Sequence, residues 1–174
     1  MNTEGVPEGA DQPPDLQPAD AAAAMQRLVD YFEQLSPHSL ALLPGVYAAK
    51  ARFKDPFNEV QGLAAIEGIF SHMFSALHAP RFVVRERVLQ GAQCFLTWEF
   101  RFRFKTYSAE SEQCILGASH IVFGADGLVV LHRDYWDAAE ELYEKLPGVG
   151  ALMRWLKRRA NRKSPRNRQA PREG

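Results

Sequence analysis

CFLTWEFRFRFK, Cys94–Lys105, decides how the rest of the sequence is read. Leu96, Trp98, Phe100, Phe102 and Phe104 alternate with Thr97, Glu99, Arg101, Arg103 and Lys105. A period of two places the first set on one side of a strand and the second on the other. One face is therefore buried and the other wetter, as in an antiparallel sheet covered on one side. Such a sheet needs an apolar layer to cover it.

The neighbours of this strand supply both the sheet and its cover. RFVVRERVLQ (81–90) precedes it as a strand, and TYSAESEQ (106–113) follows as a polar connection. CILGASHIVF (114–123) reads as the next strand, GADG (124–127) as a hairpin turn and LVVLHRDYW (128–136) as the last strand. Upstream, LAAIEGIFSHMFSAL (63–77) is helical by Ile66, Ile69, Phe70, Met73, Phe74 and Leu77, with Pro80 just beyond its end. AAKARFKDPF (48–57) reads as a strand and NEVQG (58–62) as its hairpin return. AAAAMQRLVDYFEQL (21–35) carries Met25, Leu28, Val29, Phe32 and Leu35 at helical spacing, with Asp20 as its N-cap and Tyr31 flanking the stripe. SPHSLALL (36–43) reads as a second short helix that PGVY (44–47) ends. The order is helix, helix, strand pair, helix, then a meander of at least four strands: an α+β layout with helices on one face of an antiparallel sheet. A sheet curling around helices leaves a cone whose open mouth forms pockets.

The 174 residues suit one domain with tails, and 46% hydrophobic residues suffice for one core. Residues 1–19 hold four prolines and four acids and read as a disordered tail. The domain is expected over 20–146, a C-terminal amphipathic helix over 147–162 and a basic disordered tail over 163–174. No apolar run approaches the roughly 18 residues of a membrane span, and the acidic, proline-rich start is unlike a secretory signal; a cytoplasmic location is expected. The net charge of zero divides unevenly. Residues 1–153 carry 12 Lys/Arg against 20 Asp/Glu, whereas residues 154–172 carry nine Lys/Arg and no acid. The basic cluster follows an apolar stripe of Leu152, Met153, Trp155 and Leu156. Docking of the stripe with a solvated basic tail is favoured over nucleic-acid binding, since aromatic interleaving stops at Trp155; weak peripheral association with anionic lipid is the most the tail implies.

Two segments carry candidate chemistry. In ARFKDPF (51–57), Ala51, Phe53 and Asp55 share the apolar side, and Pro56 biases Asp55 towards extended backbone. Desolvation there would make Asp55 a stronger proton acceptor; the alternative is an Asp-Pro turn in which the carboxylate bonds nearby backbone N–H groups. In the last strand Val130, His132, Asp134 and Trp136 share a face, so a histidine and an aspartate lie within reach of a common ligand or of each other. The alternative is that this face is solvated. His38, His72 and His78 read as capping, boundary or exposed residues. No metal-ligand spacing, nucleophile elbow or phosphate-binding loop appears, so no metal site is expected. Glu99 and Arg101 lie opposite the Trp98 face and read as a solvated or dimer-interface ion pair.

Helix, helix, F-x-D-P-F, a glycine before AAIEGIFSHMF, then a meander ending in HRDYWD resembles the SnoaL-like branch of the nuclear transport factor 2 superfamily. The resemblance covers about residues 21–145. Its enzymes include ketosteroid isomerase, polyketide cyclases, scytalone dehydratase and limonene-epoxide hydrolase. It implies a cone: a strongly bent, mostly antiparallel sheet wrapped on about three N-terminal helices, usually dimeric. The general-base aspartate of ketosteroid isomerase lies in an E-D-P-V stretch that matches K-D-P-F, hence Asp55. Its oxyanion-donating tyrosine lies in the first helix, 24 residues before the aspartate, which matches Tyr31. Its second oxyanion donor, in P-I-D-H-F, matches A-S-H-I, so Ser119 stands in place of an acid. The resemblance also turns Ile115, Gly117, Ser119, His132, Asp134 and Trp136 inward and Cys114 and His120 outward. Cys94 shares the parity of Trp98, so no disulfide is expected. A late-strand His or Asp does acid/base work in the cyclases and epoxide hydrolases.

Together these readings predict an apolar pocket walled by Phe53, Trp98, Phe100, Phe102, Ile121 and Trp136. The expected activity is cofactor-independent acid/base catalysis, of isomerase or cyclase type, on a small hydrophobic carbonyl compound. Asp55 would remove a proton beside the carbonyl, Tyr31 with Ser119 would stabilise the enolate oxygen, and His132 with Asp134 would return a proton. One alternative is epoxide-hydrolase-like or dehydratase chemistry through a carboxylate-activated water. Another is a non-catalytic lipophile-binding or dimerisation module. A homodimer through the face of Thr97, Glu99 and Arg101 is expected.

Overall fold

The structure, a computed structural model, describes residues 17–105 and 111–137. The chain divides into two compact units after Trp136, and the elements below belong to the first. Residues 138–146 of the expected domain, the expected helix over 147–162 and the basic tail lie outside the described residues.

Helix α1 spans Pro18–Glu33. Proline near the start needs no N–H partner and presets the helical φ. Asp20, expected as N-cap, lies instead in the first turn, where its charge suits the helix dipole. Ala21, Ala24, Leu28, Val29 and Phe32 form the buried stripe. The second short helix is a 3₁₀ helix over Ser39–Gly45. Ser36 and Ser39 each accept the other's backbone N–H with Oγ, at 3.2 and 2.9 Å. Pro44, which has no N–H, sits inside that helix. Helix α2 covers Leu63–Ala76 and buries Ile66 and Phe70. Its N-cap is Gly62 at φ 95°, a backbone conformation that a side chain would strain.

Strands β1 (Tyr47–Lys54), β2 (Glu59–Gln61), β3 (Leu77–Gln90), β4 (Gln93–Phe104), β5 (Gln113–Phe123) and β6 (Val129–Tyr135) form one open sheet in the order β2-β1-β6-β5-β4-β3. All pairs are antiparallel except β1 with β6. Register shifts interrupt β1, β3 and the β5–β6 pair, and such bulges add local twist and bend. The alternation read in Cys94–Lys105 holds: Cys94, Leu96, Trp98 and Phe102 are buried, while Phe95, Thr97 and Arg103 are exposed.

The core lies between the helices and the inner sheet face. Leu28, Val29, Ile66, Ile121, Phe123 and Val129 are each 1% exposed or less. Burying such a side chain contributes about 1.5–3 kcal/mol. Tyr47 is fully buried among them.

Two inner rows position the site. Phe53, His132, Ile121 and Cys94 are consecutive partners across β1, β6, β5 and β4, as are Asp134, Ser119 and Leu96 across β6, β5 and β4. A serine and an aspartate on consecutive strands, 15 residues apart, thus stand opposite each other on one side of the sheet.

Candidate functional site

A cavity of about 30 Å³ lies between the helices and these rows. Leu28, Phe32, Phe70, Phe82, Val84, Leu96, Trp98 and Ile121 give it apolar walls, and Ser119, His132 and Asp134 are its polar lining. That volume holds one or two water molecules.

Five side chains from four strands form a hydrogen-bond chain beside it. Trp98 Nε1 donates to Ser119 Oγ at 2.8 Å. Indole is a donor only, so the Ser119 hydroxyl proton is free to turn to Asp134 Oδ1, 2.5 Å away. Asp134 Oδ1 also lies 2.8 Å from His132 Nε2, and His132 Nδ1 lies 2.5 Å from the Tyr47 hydroxyl. A carboxylate accepts, so Nε2 carries the proton and Nδ1 takes the Tyr47 O–H. Every donor therefore points towards Asp134: Tyr47 to His132 to Asp134 from one side, Trp98 to Ser119 to Asp134 from the other. Burial holds the Tyr47 phenol well above its ordinary pKa, with Asp134 and Tyr31 adding to the rise, so it stays a donor.

Packing fixes this geometry. Phe53 and Phe32 stand edge-on to the His132 ring at 4.9 and 5.5 Å, and Tyr47 lies parallel to it at 5.9 Å. The Trp98 indole lies over Gly117, where an added Cβ would stand 2.3 Å from Cη2. Glycine is the residue that lets the indole lie flat enough to reach Ser119. A largely buried hydrogen-bond network of this kind rigidifies its members.

Five of the expected site residues, Trp98, Ser119, Ile121, His132 and Asp134, meet at the cavity. The others stand elsewhere. Asp55 was expected on the apolar side after Phe53, but β1 ends at Lys54 and Asp55 is half-buried in a turn. Its Oδ1 accepts from Phe57 N (2.7 Å), Asn58 N (2.6 Å) and Asn58 Nδ2 (3.1 Å), and its Oδ2 from Asn58 Nδ2 (3.0 Å). Local donors win because they lie within three residues and cost no long-range ordering. Tyr31 lines a separate cleft with Arg27, Asp30 and Gln34. Its buried hydroxyl has no partner among the described residues, and burial, with Glu67 adding, pushes its pKa up to about 12. Phe53 packs behind His132 rather than lining the cavity. Phe100 stacks on Phe82 at 4.5 Å, Phe102 continues that row at 5.1 Å, and Trp136 meets Phe57 at 5.3 Å.

Tyr47 escaped the sequence reading because PGVY marks a helix end and says nothing of a partner 85 residues away. Phe82 and Val84 lay in a recognised strand, but only the fold turns them towards the cavity. Cys94 is a buried thiol outside any disulfide; burial raises its pKa to about 12 and makes it a poor nucleophile. Among the described residues no three His, Cys, Asp or Glu side chains converge to hold a metal, and no helix is long and apolar enough to cross a membrane.

Residues 28–132 match the family model of the SnoaL-like domain. The chain belongs to the SnoaL-like family. Solved structures share the fold of this SnoaL-like domain at low identity. A SnoaL-like polyketide cyclase candidate from Jannaschia sp. CCS1 is 15% identical, with 76% of this chain and 94% of that one covered at a TM-score of 0.60. An M. tuberculosis LEH-like epoxide hydrolase is 13% identical over 77% and 95%, with a TM-score of 0.58. A protein of ketosteroid isomerase-like fold from Catenulispora acidiphila, in complex with trimethylamine, is 13% identical over 68% and 88%, with a TM-score of 0.58. No curated protein matches the sequence of this SnoaL-like chain significantly.

Proposed function

We propose that this SnoaL-like protein is a cofactor-independent acid/base enzyme of isomerase or cyclase type that acts on a small hydrophobic carbonyl compound, with Asp134 as its base. The observation that carries this reading is the convergence of Ser119 and His132 on one oxygen of Asp134 at an apolar cavity. Both hydrogen bonds fall on Oδ1, and no hydrogen bond to Oδ2 is made among the described residues. Oδ2 is then the oxygen that takes a proton beside the carbonyl and returns it. His132 spreads the charge towards Tyr47 as the proton moves, and Ser119 holds the carboxylate in place. The base role expected of Asp55 passes to Asp134, because the Asp55 lone pairs are engaged within its own turn.

A second reading, hydration through a water activated by Asp134, draws on two features. The cavity is of water size, and the hydrogens of Tyr47, Trp98 and Ser119 are already committed within the chain, which leaves an enolate oxygen without a ready donor.

Two isotope experiments test the proposal. A panel of hydrophobic ketones is incubated with the protein in D₂O and exchange beside the carbonyl is followed by NMR. Exchange that the Asp134→Asn variant lowers by about 10²–10⁴-fold supports the base role. Label from heavy-oxygen water appearing in product, without such exchange, moves the assignment to hydration. Neither exchange nor label with any ligand that binds would leave a lipophile-binding module.

A further inference from the structure

A second cleft opens on the other face of the sheet. It has a volume of about 240 Å³ and is lined by Arg52, Lys54, Glu59, His120, Arg133 and Tyr135, among others. Lys54 pairs with Arg133 across β1 and β6, and Arg133 with His120 across β6 and β5. Two cations, Lys54 and Arg133, thus stand directly opposite each other in a cross-strand row that His120 continues. Like charges directly opposite one another destabilise a sheet unless something neutralises them. Lys54 has an ion-pair partner in Glu59. The Arg52 and Arg133 guanidinium groups make no hydrogen bond or ion pair among the described residues; Arg133 lies over the Tyr135 ring, 5.0 Å from its centre. Burial and the nearby Arg133 charge lower the His120 pKa, so the imidazole adds a wall rather than a charge near neutral pH.

Three cations facing one carboxylate leave an excess of two positive charges in the cleft. Residues 1–153 as a whole carry eight more acids than bases. A cationic hollow on so acidic a body concentrates anions locally, against the overall charge. Arginine forks suit the paired oxygens of phosphate, and two of the three cations are arginines.

We infer that the cleft between β2, β1, β6 and β5 binds a compact dianion of the phosphate-monoester class, held by Arg52 and Arg133 with Lys54 at its edge. The site lies on the opposite sheet face from the Asp134 cavity and is independent of the proposed reaction.

Titration calorimetry of the full chain with inorganic phosphate at constant ionic strength tests this. Saturable binding of one phosphate per chain is expected, with acetate, a single charge, at least tenfold weaker. The Arg52→Ala/Arg133→Ala double variant weakens phosphate binding at least tenfold. Glu59→Gln removes the competing carboxylate and strengthens it two- to fivefold, a gain that misfolding does not produce. Asp134→Asn leaves the affinity within twofold, which separates this site from the catalytic proposal. No saturable phosphate binding, acetate binding as tightly as phosphate, or equal affinity in wild type and double variant overturns the inference.

Discussion

Asp55 and Asp134 read alike in the sequence and end in opposite circumstances. Each sits at or near the end of a strand with aromatic residues sharing its parity, and each reads as inward. Asp55 takes its hydrogen bonds from residues two and three positions along the chain. Asp134 takes its bonds from Ser119 on a neighbouring strand and from His132, which in turn accepts from Tyr47 on another. A carboxylate satisfied by its own turn is a structural cap. One satisfied across the sheet is held in place with an oxygen to spare at a cavity, which is what a base requires.

The largest effect that this contrast predicts is on turnover. Asp134→Asn keeps the shape and removes the proton acceptor, so exchange or turnover falls by about 10²–10⁴-fold. Asp55→Asn keeps an acceptor oxygen for the turn, so activity stays within about threefold and stability within about 1 kcal/mol. Parallel assays and chemical denaturation of the two variants check this. A loss from Asp55→Asn equal to that from Asp134→Asn would reverse the assignment.

Gly117 sharpens the comparison from the Trp98 side. An alanine Cβ at this position would lie 2.3–2.7 Å from three indole carbons. Overpacking of this kind costs about 1–3 kcal/mol. Gly117→Ala is expected to lower the unfolding free energy, read by chemical denaturation, by that amount and to turn the indole off Ser119, which weakens one arm of the Asp134 network. Adding Trp98→Phe removes the clash and recovers most of the stability without restoring the Ser119 contact. Independent, additive losses in this double-variant cycle would show that the indole is not what Gly117 accommodates.

How much of this the sequence discloses follows from the range of each interaction. The β4 alternation and the apolar stripes of α1 and α2 are local periodicities, and the observed elements follow them within a few residues. The turn at Asp55 was also locally visible, as Asp-Pro followed by an asparagine able to donate, but strand parity argued against it. The parallel pairing of β1 with β6 was not visible. It brings Phe53 beside His132, and nothing near either residue encodes that register. Tyr47 was missed for the same reason. Ser119 could be matched to the position of a relative's acid, yet its register partner Asp134 shows where a carboxylate stands in this chain: one strand over, facing the serine.

The smallest expected effects concern two buried tyrosines, and they differ in sign. Tyr47→Phe leaves His132 Nδ1 buried without its donor and costs about 1–2 kcal/mol at neutral pH. Tyr31→Phe deletes a buried hydroxyl that has no partner among the described residues, so stability is unchanged or rises by up to about 1 kcal/mol. Both phenols have folded pKa values raised above the ordinary value near 10. The folded protein therefore holds protons that the unfolded chain releases. Stability from this source is intact below about pH 10 and falls as the pH rises through the folded values, about 12 for Tyr31. Tyr31→Phe should thus flatten the decline between pH 10 and 12 while leaving turnover intact. Tyr47→Phe should flatten it too, but with slower turnover, because the His132 tautomer that donates to Asp134 is no longer enforced. If Tyr31→Phe instead abolished activity and left stability at pH 7 unchanged, its hydroxyl would be the missing oxyanion donor, and the site would extend from Asp134 to α1.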